Sequence, residues 1–383
     1  MALLAPRPDF PPPPARAGVV IAGELSRPTG LGEAARIMQR AVERIGIRTW
    51  AVDLDDPAAA GHAALPPGAP LLLHVNSPLV PLALLRAPRS LIRGRRVIGY
   101  WAWELPTVSD TWRAGLPFVH EIWALSNFTA AAFRGWLAED APQQVRAVPI
   151  PIAVAPPSPA ALDRASFGLP GDAVVVLVSF NLASSFERKN PLAAIAAFRR
   201  AFGERKDRVL VLKLGNPGHF ANDFARVREA VAGAVNIRIE TRTLPAADSH
   251  ALTACADIVL SLHRSEGFGL IPAEAMLLGR PVVATAWSGN MDFMDDNSAA
   301  LVGYRLTPAR DPRGVFEAPG AMWAEPDIAE AAAHLARLAA DPAARAALGA
   351  RGRARAYERL GDGALRQALG GLGFAAPALM AAD

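Results

Sequence analysis

Residues Ala256 to Pro281 read ADIVLSLHRSEGFGLIPAEAMLLGRP, and the reading of this stretch decides the fold. Ile258 to Leu262 is a short apolar run of the kind buried on both faces of a parallel sheet. A glycine-flexed loop follows, then a short helix with Pro272 suited to its first position and Gly279 just past its end. That placement puts Ile271 at the cap, where it has no acceptor to offer the first backbone N–H groups. Gly267 and Gly269 let the backbone approach a ligand closely, and free N–H groups at a positive helix end suit a phosphate. Glu266 on the loop and Glu274 in the expected first turn flank this anion site. Carboxylates beside a phosphate need another duty, and sugar hydroxyls, which require acceptors, supply one. Taken singly, Glu274 complements the helix dipole and Glu266 is a solvated loop residue; the pair with both glycines between them reads as a site.

Outward from this stretch, strand-like and helix-like segments alternate. Gly18–Ala22, Thr49–Leu54, Leu71–Val75, Arg96–Tyr100 and Glu121–Leu125 read as strands in the first half, with a helix over Gly32–Ile45. In the second half Ala173–Phe180, Val209–Leu214, Val235–Glu240, Ile258–Leu262 and Pro281–Thr285 read as strands. Helices are expected over Pro191–Phe202, Phe224–Ala234, Ser249–Ala254, Asp327–Leu338 and Pro342–Tyr357. Such alternation predicts an α/β protein of two Rossmann-like, doubly wound domains facing a cleft. The expected organisation is a mobile leader over 1–17, an N-terminal domain over 18–153, and a proline-dense linker over 154–170. A C-terminal domain over 171–360 and a helical tail over 361–383 follow. Length agrees, since 383 residues at about 150 per domain suggest two domains.

Composition narrows the class. Hydrophobic residues at 51% and charged residues at 20% supply material for cores and exclude a wholly disordered chain. Forty Lys+Arg against 36 Asp+Glu leave a net charge of +4 without a basic run, so a nucleic-acid partner is not indicated. The single cysteine, Cys255, excludes an internal disulfide framework and a cysteine-rich zinc site, and reads as a small core residue. No run of about 18 apolar residues predicts a membrane span. A cytoplasmic protein is expected, with peripheral contact of the Ala/Arg-rich C-terminal helices to an anionic membrane left open.

Lysine usage is telling. Only Lys189, Lys206 and Lys213 occur, so arginine serves for general solubility and a lysine marks a place needing a compact charge. Lys206 lies in a mixed charged run and carries no such weight. Lys189 stands beside Arg188 in a turn (SSFERKNP) after the first strand of the second domain. Lys213 ends the next strand, at the same sheet edge. Two cations and a helix N-terminus can neutralise a diphosphate without a metal. In the first domain Gly30-Leu31-Gly32 fits a dinucleotide fingerprint with Asp53 further on, but Gly23–Thr29 separate it from its strand, so the NAD signal is weak. Gly32 instead reads as part of a glycine loop near a donor phosphate or acceptor. Glu104, ending another strand, is a candidate acid on the acceptor side. Asp53-Leu54-Asp55 has a metal-like spacing but reads as a polar strand end, and His120 reads as structural.

These motifs resemble those of the retaining glycosyltransferases of family 4, which have the two-Rossmann GT-B fold. Glu266-Gly267-Phe268-Gly269 with Glu274 is similar to the family's E-x7-E motif. Ala256-Asp257, Gly279 to Thr285 and Ser288 to Asp292 resemble its flanking segments, Glu121 to Ser126 its last acceptor-domain strand, and Arg188 to Pro191 its basic turn. The resemblance implies transfer of a sugar from a UDP- or GDP-sugar to a hydroxyl of a glycan or lipid-linked acceptor, in polysaccharide biosynthesis. Retention of configuration, no metal and no separate cofactor are implied with it. Glu266 then contacts the donor sugar, Glu274 the ribose, and Gly267, Phe268, Gly269 and Leu270 offer backbone N–H groups. Arg188 and Lys189, helped by Lys213, stabilise the leaving diphosphate. A sugar-nucleotide epimerase and a catalytically silent sugar-nucleotide-binding protein are the competing readings.

Overall fold

In the computed structural model, which describes residues 4–27, 29–56 and 65–374, apolar runs become strands buried on both faces and amphipathic stretches become the helices that cover them. The first sheet has the order β2-β1-β3-β4-β5-β6 and is parallel throughout. Its strands are β1 (Val19–Gly23), β2 (Thr49–Asp53), β3 (Leu71–His74), β4 (Val97–Trp101), β5 (Glu121–Ala124) and β6 (Gln144–Ala147). The second has the order β12-β11-β10-β7-β8-β9, likewise parallel. It is built from β7 (Val174–Asn181), β8 (Arg208–Gly215), β9 (Ile237–Glu240), β10 (Ile258–Ser261), β11 (Val282–Thr285) and β12 (Ala300–Val302). An antiparallel hairpin, β13 (Tyr304–Pro308) with β14 (Met322–Pro326), stands apart from both sheets.

The helices are α1 (Gly30–Arg44), α2 (Val80–Arg86), α3 (Asn127–Trp136), α4 (Phe186–Lys189), α5 (Pro191–Phe202) and α6 (Ala221–Ala230). After them come α7 (Ala246–Cys255), α8 (Leu270–Leu277), α9 (Ile328–Ala340), α10 (Pro342–Arg359) and α11 (Gly363–Gly371). No helix among the described residues is long and apolar enough to cross a membrane.

The chain divides into two units, one formed by the residues up to Ala155 with those from Leu360 on, the other by Pro156–Arg359. The segment from Leu360 joins the first unit, where the Leu360 carbonyl accepts from the Ala153 N–H. Residues 4–17, expected as a loose leader, make specific contacts. Asp9 accepts from the Gly94 N–H and pairs with Arg93, and the Arg16 N–H donates to the Gly68 carbonyl. His120 is structural: its Nδ1 accepts from the Val97 N–H, which leaves Nε2–H to donate to the Asp9 carbonyl. Residues 1–3 of the expected leader and 375–383 of the expected tail lie outside the described residues.

In the second unit the strand pattern explains the core. Val176, Val178, Phe180, Leu210, Leu212, Ile258 and Leu260 share one cluster with Phe198 of α5 and Leu335 of α9. Their alternates Val175, Leu177, Val211 and Val259 are buried too, so both faces are covered, as a parallel sheet requires. From β7 the chain steps outward to β8 and β9, then returns to the other side of β7 as β10. The reversal between β7 and β10 is the topological switch point, where loops diverge and leave room for a ligand at the carboxyl edge. Both motifs singled out in the sequence leave the sheet there: α4 follows β7, and the Glu266 loop follows β10.

Helix α10 lies close on α8 because Gly349 has no side chain; a Cβ there would come 2.1 Å from the Gly279 carbonyl oxygen. Gly349→Ala is expected to cost about 1–3 kcal/mol of stability despite the better helix former. Gly135→Ala, in α3 with open space around it, should be neutral or slightly stabilising. Chemical denaturation of the two variants against wild type checks the difference.

Candidate active site

The site is assembled from three loops of the second unit. The first, after β7, turns sharply at Ser185 (φ 71°) and Asn190 (φ 50°), both in the left-handed region that non-glycine residues rarely adopt. Ser185 caps the single turn of α4, its Oγ accepting from the Arg188 N–H and donating to Asp311 Oδ1. Asn190 stops the turn, and Pro191 starts α5. The second loop carries Glu266. The third clamps that residue's backbone, since the Glu266 N–H donates to Ser288 Oγ and its carbonyl accepts from the Gly289 N–H, 2.8 and 2.9 Å. The clamp demands glycine at 289, where a Cβ would sit 2.1 Å from the Gly267 carbonyl oxygen.

These turns bring Arg188, Lys189 and Glu266 into one ion triad. Glu266 Oε1 meets Lys189 Nζ at 2.5 Å, and Oε2 meets Arg188 Nη1 at 3.2 Å. Arg188 and Glu266 are buried. Burial alone raises a carboxyl group's pKa, but here Lys189, Arg188 and His263 outweigh it and hold Glu266 at about 2, below its ordinary 4.5. The carboxylate is therefore always ionised near neutrality and is an acceptor only. Each oxygen uses one lone pair on a cation and keeps another for a ligand hydroxyl. The sequence expectation set Glu266 against the sugar and the cations against the diphosphate as separate duties. In the structure all three residues are one electrostatic object with a net charge of +1.

Helix α8 begins earlier than expected. Gly269, with φ 98°, is the cap, so the helix starts at Leu270. Pro272 is therefore the third helical residue rather than the first, and Glu274 falls in the second turn rather than the first. Proline is tolerated at the third position because that N–H also has no partner within a helix. The anticipated absence of a side-chain cap is seen: Gly269 has no acceptor, and the backbone N–H groups of Leu270 and Ile271 open the helix. Phe268 is buried against Phe293, which leaves only its backbone to face a ligand.

The remaining sequence candidates are distributed differently. Glu274 stands 3.7 Å from His250 Nε2 of α7, a neighbour that residue spacing alone does not pair with it. Lys213 is in register between Ser179 on β7 and Glu240 on β9. Burial lowers its pKa, with the Glu240 charge acting against and Arg242 with the burial. Gly32 belongs to the first unit, and its glycine is explained by packing, since a Cβ would come 2.5 Å from the Glu24 carbonyl oxygen. Its N–H already donates to Thr29 Oγ1, the cap of α1. Glu104, also in the first unit, is half-buried between Trp103 and Leu105. Asp53 accepts from the Ser26 and Asp55 N–H groups as a polar strand end. Cys255 is half-buried rather than a core residue.

Four residues to which the sequence assigned no role support the triad. Arg264 donates its backbone N–H to the Arg188 carbonyl and binds Glu187 and Glu325 through its guanidinium. The loop between β13 and β14 supplies Asp311, which accepts from Ser185 and the Val315 and Phe316 N–H groups. Phe316 itself lies under the Arg188 guanidinium, 5.1 Å to the ring centre. Ser288 completes the set.

The two doubly wound parallel sheets define a protein of the GT-B fold class. Residues 133–360 match the family described as "Family 4 Glycosyltransferase in conflict systems", and the chain belongs to that family. It is 30% identical over 175 residues to a D-inositol 3-phosphate glycosyltransferase of Saccharomonospora viridis, covering 45% of this chain and 40% of that protein. A protein of the same name from Kineococcus radiotolerans is 30% identical over 244 residues, 59% of this chain and 51% of the relative. The chain thus spans about half or less of these relatives' length. Among solved structures, sucrose-phosphate synthase from Thermosynechococcus elongatus superposes with a TM-score of 0.64 at 18% identity, covering 94% of this chain and 98% of that one. Anabaena HepE, crystallised with UDP and glucose, superposes with a TM-score of 0.61 at 14% identity, covering 93% and 99%.

The Glu266 carboxyl titrates at about 2 when folded and ordinarily at 4.5, so its stabilising contribution is full above about pH 4.5 and fades as pH falls towards 2. Glu266→Gln is expected to cost about 3 kcal/mol at pH 7. Denaturation at stepped pH should show that gap closing between pH 4.5 and 2. A gap that stays constant over this range excludes the carboxylate as the charged partner.

Proposed function

We propose that this chain transfers a sugar from a nucleoside-diphosphate donor to an acceptor hydroxyl of a glycan or lipid-linked glycan, with retention of configuration and without a resident metal or separate cofactor. The observation that carries this reading is the Arg188–Lys189–Glu266 triad beside the uncapped start of α8. Family membership and the name of the Anabaena neighbour's ligand, UDP, support the donor class.

The donor's two phosphates sit against Arg188, Lys189 and the Leu270 and Ile271 N–H groups, where fixed cations and the helix dipole act together. Glu266, held ionised, accepts from hydroxyls of the donor sugar through its spare lone pairs. Glu274 accepts from the ribose hydroxyls, with His250 fixing its carboxylate. In the transfer step the bond between the anomeric carbon and the β-phosphate oxygen breaks as the acceptor oxygen approaches on the same face. The acceptor's proton passes to the departing phosphate oxygen, and Arg188 and Lys189 take up the charge that develops there. No protein nucleophile is needed. Glu266 carries no proton near neutrality and cannot serve as the general acid.

Incubation with a panel of UDP- and GDP-sugars, scoring nucleotide release, tests the reading. Glu266→Gln and Lys189→Ala are each expected to lower turnover by roughly 10²–10³-fold; unchanged turnover in both overturns the site. Lys189→Ala should also weaken UDP binding while leaving uridine binding nearly as it was. Equal weakening of both ligands means that the lysine does not meet the phosphates.

A further inference from the structure

His263 lies three residues before Glu266, and its place in the triad's surroundings is unlike that of the other buried histidines. The side chain is 1% exposed, and among the described residues neither Nδ1 nor Nε2 has a hydrogen-bond partner. His120, by contrast, uses both ring nitrogens, and His74, also without partners, stacks on Tyr100 in the first unit. The charged groups that act on His263 electrostatically are Glu266, Lys189 and Arg188. Its backbone is fixed on either side. The His263 carbonyl accepts from Thr285 Oγ1 at 2.7 Å, and the next residue donates its N–H to the Arg188 carbonyl.

A buried imidazole with two unmet nitrogens is costly and calls for an explanation, and beside an ion triad a second state that satisfies it is one. Resting on the reading above, in which a diphosphate meets Arg188 and Lys189, we infer that His263 is a positioning residue that takes hold of Glu266 when the diphosphate occupies its two cations. Glu266 then shares both counter-charges with the incoming phosphates, and a desolvated carboxylate in that position needs another donor. Among the described residues, the imidazole of His263, three residues away in the same loop, is a buried side chain with an N–H that meets no acceptor. The handover keeps Glu266 oriented towards the sugar while the cations turn to the leaving group.

The handover carries a signature. In the free protein, burial lowers His263 to about 4, Glu266 opposing and Lys189 and Arg188 adding to the effect. Once the phosphates neutralise the cations and the carboxylate turns to the ring, the His263 proton affinity rises towards the ordinary histidine value of 6.5. NMR of the histidine side chains, titrated with pH without ligand and at saturation with UDP, reads this directly. His263→Gln identifies the signal among the seven histidines. If that variant does not fold, His263→Asn takes its place. The expected result is a midpoint raised by one unit or more with UDP in wild type, and a rise of less than half that in Glu266→Gln. A midpoint that does not move while UDP binding still depends on Lys189 overturns the handover and leaves the donor site standing. An equal rise in wild type and Glu266→Gln also overturns it, because the phosphates then act on His263 without the carboxylate. UDP that binds no better than uridine overturns the donor site and this inference with it.

Discussion

A carboxylate shut away from water between Lys189 and Arg188 constrains nearly everything at the carboxyl edge of the second sheet. A lone buried carboxylate would be protonated or expelled, so the cations and Glu266 must arrive together from two loops leaving neighbouring strands. The chain meets that demand with unusual backbone. Ser185, Asn190 and Ser288 are three of the five non-glycine residues with positive φ among those described, and all three border the triad. Local strain of this kind persists only where surrounding bonds over-determine it. Here Ser185 is tied to Asp311 and Arg188, and Ser288 to the Glu266 N–H. Arg264 ties the backbone of the basic turn to the loop that carries Glu266. The backbone that carries the triad is consequently held in place before any ligand arrives, which is what electrostatic stabilisation of a leaving group requires.

The parallel sheets were legible in the sequence for a definite reason. Strands covered on both faces must be apolar throughout, and runs such as Ala173–Phe180 and Ile258–Leu262 satisfy this without ambiguity. The structure adds β6, β12 and the β13–β14 hairpin, whose sequences escape that test: β6 is half-exposed, β12 is three residues long, and most of β13 faces solvent. The hairpin matters because its loop carries Asp311 and Phe316 to the basic turn.

At the site, residue types were readable and partnerships were not. Scarce lysine drew attention to Lys189, and the two glutamates to the loop and helix around the glycines. Nothing in the spacing showed that Glu266 closes on Arg188 and Lys189, because the contact spans 77 residues and depends on which strands are neighbours. The start of α8 was misplaced because proline marks the first helical position in most helices, whereas the left-handed Gly269 turns the chain into the helix two residues sooner. Lys213 shows the converse: its place at the strand edge was readable, its charged neighbours Glu240 and Arg242 were not.

The chain's return to its first unit has a bearing on biogenesis. Everything from Pro156 to Arg359 is synthesised before Leu360 and α11 can join the portion made first. At ordinary elongation rates these about 200 residues represent a delay of roughly 10–40 s. During that interval the nascent amino-terminal portion lacks α11, while the second unit can complete its sheet as an uninterrupted stretch of polypeptide. The order of synthesis therefore favours maturation of the later-encoded unit ahead of the earlier one, and leaves the latter most dependent on chaperones while translation is under way.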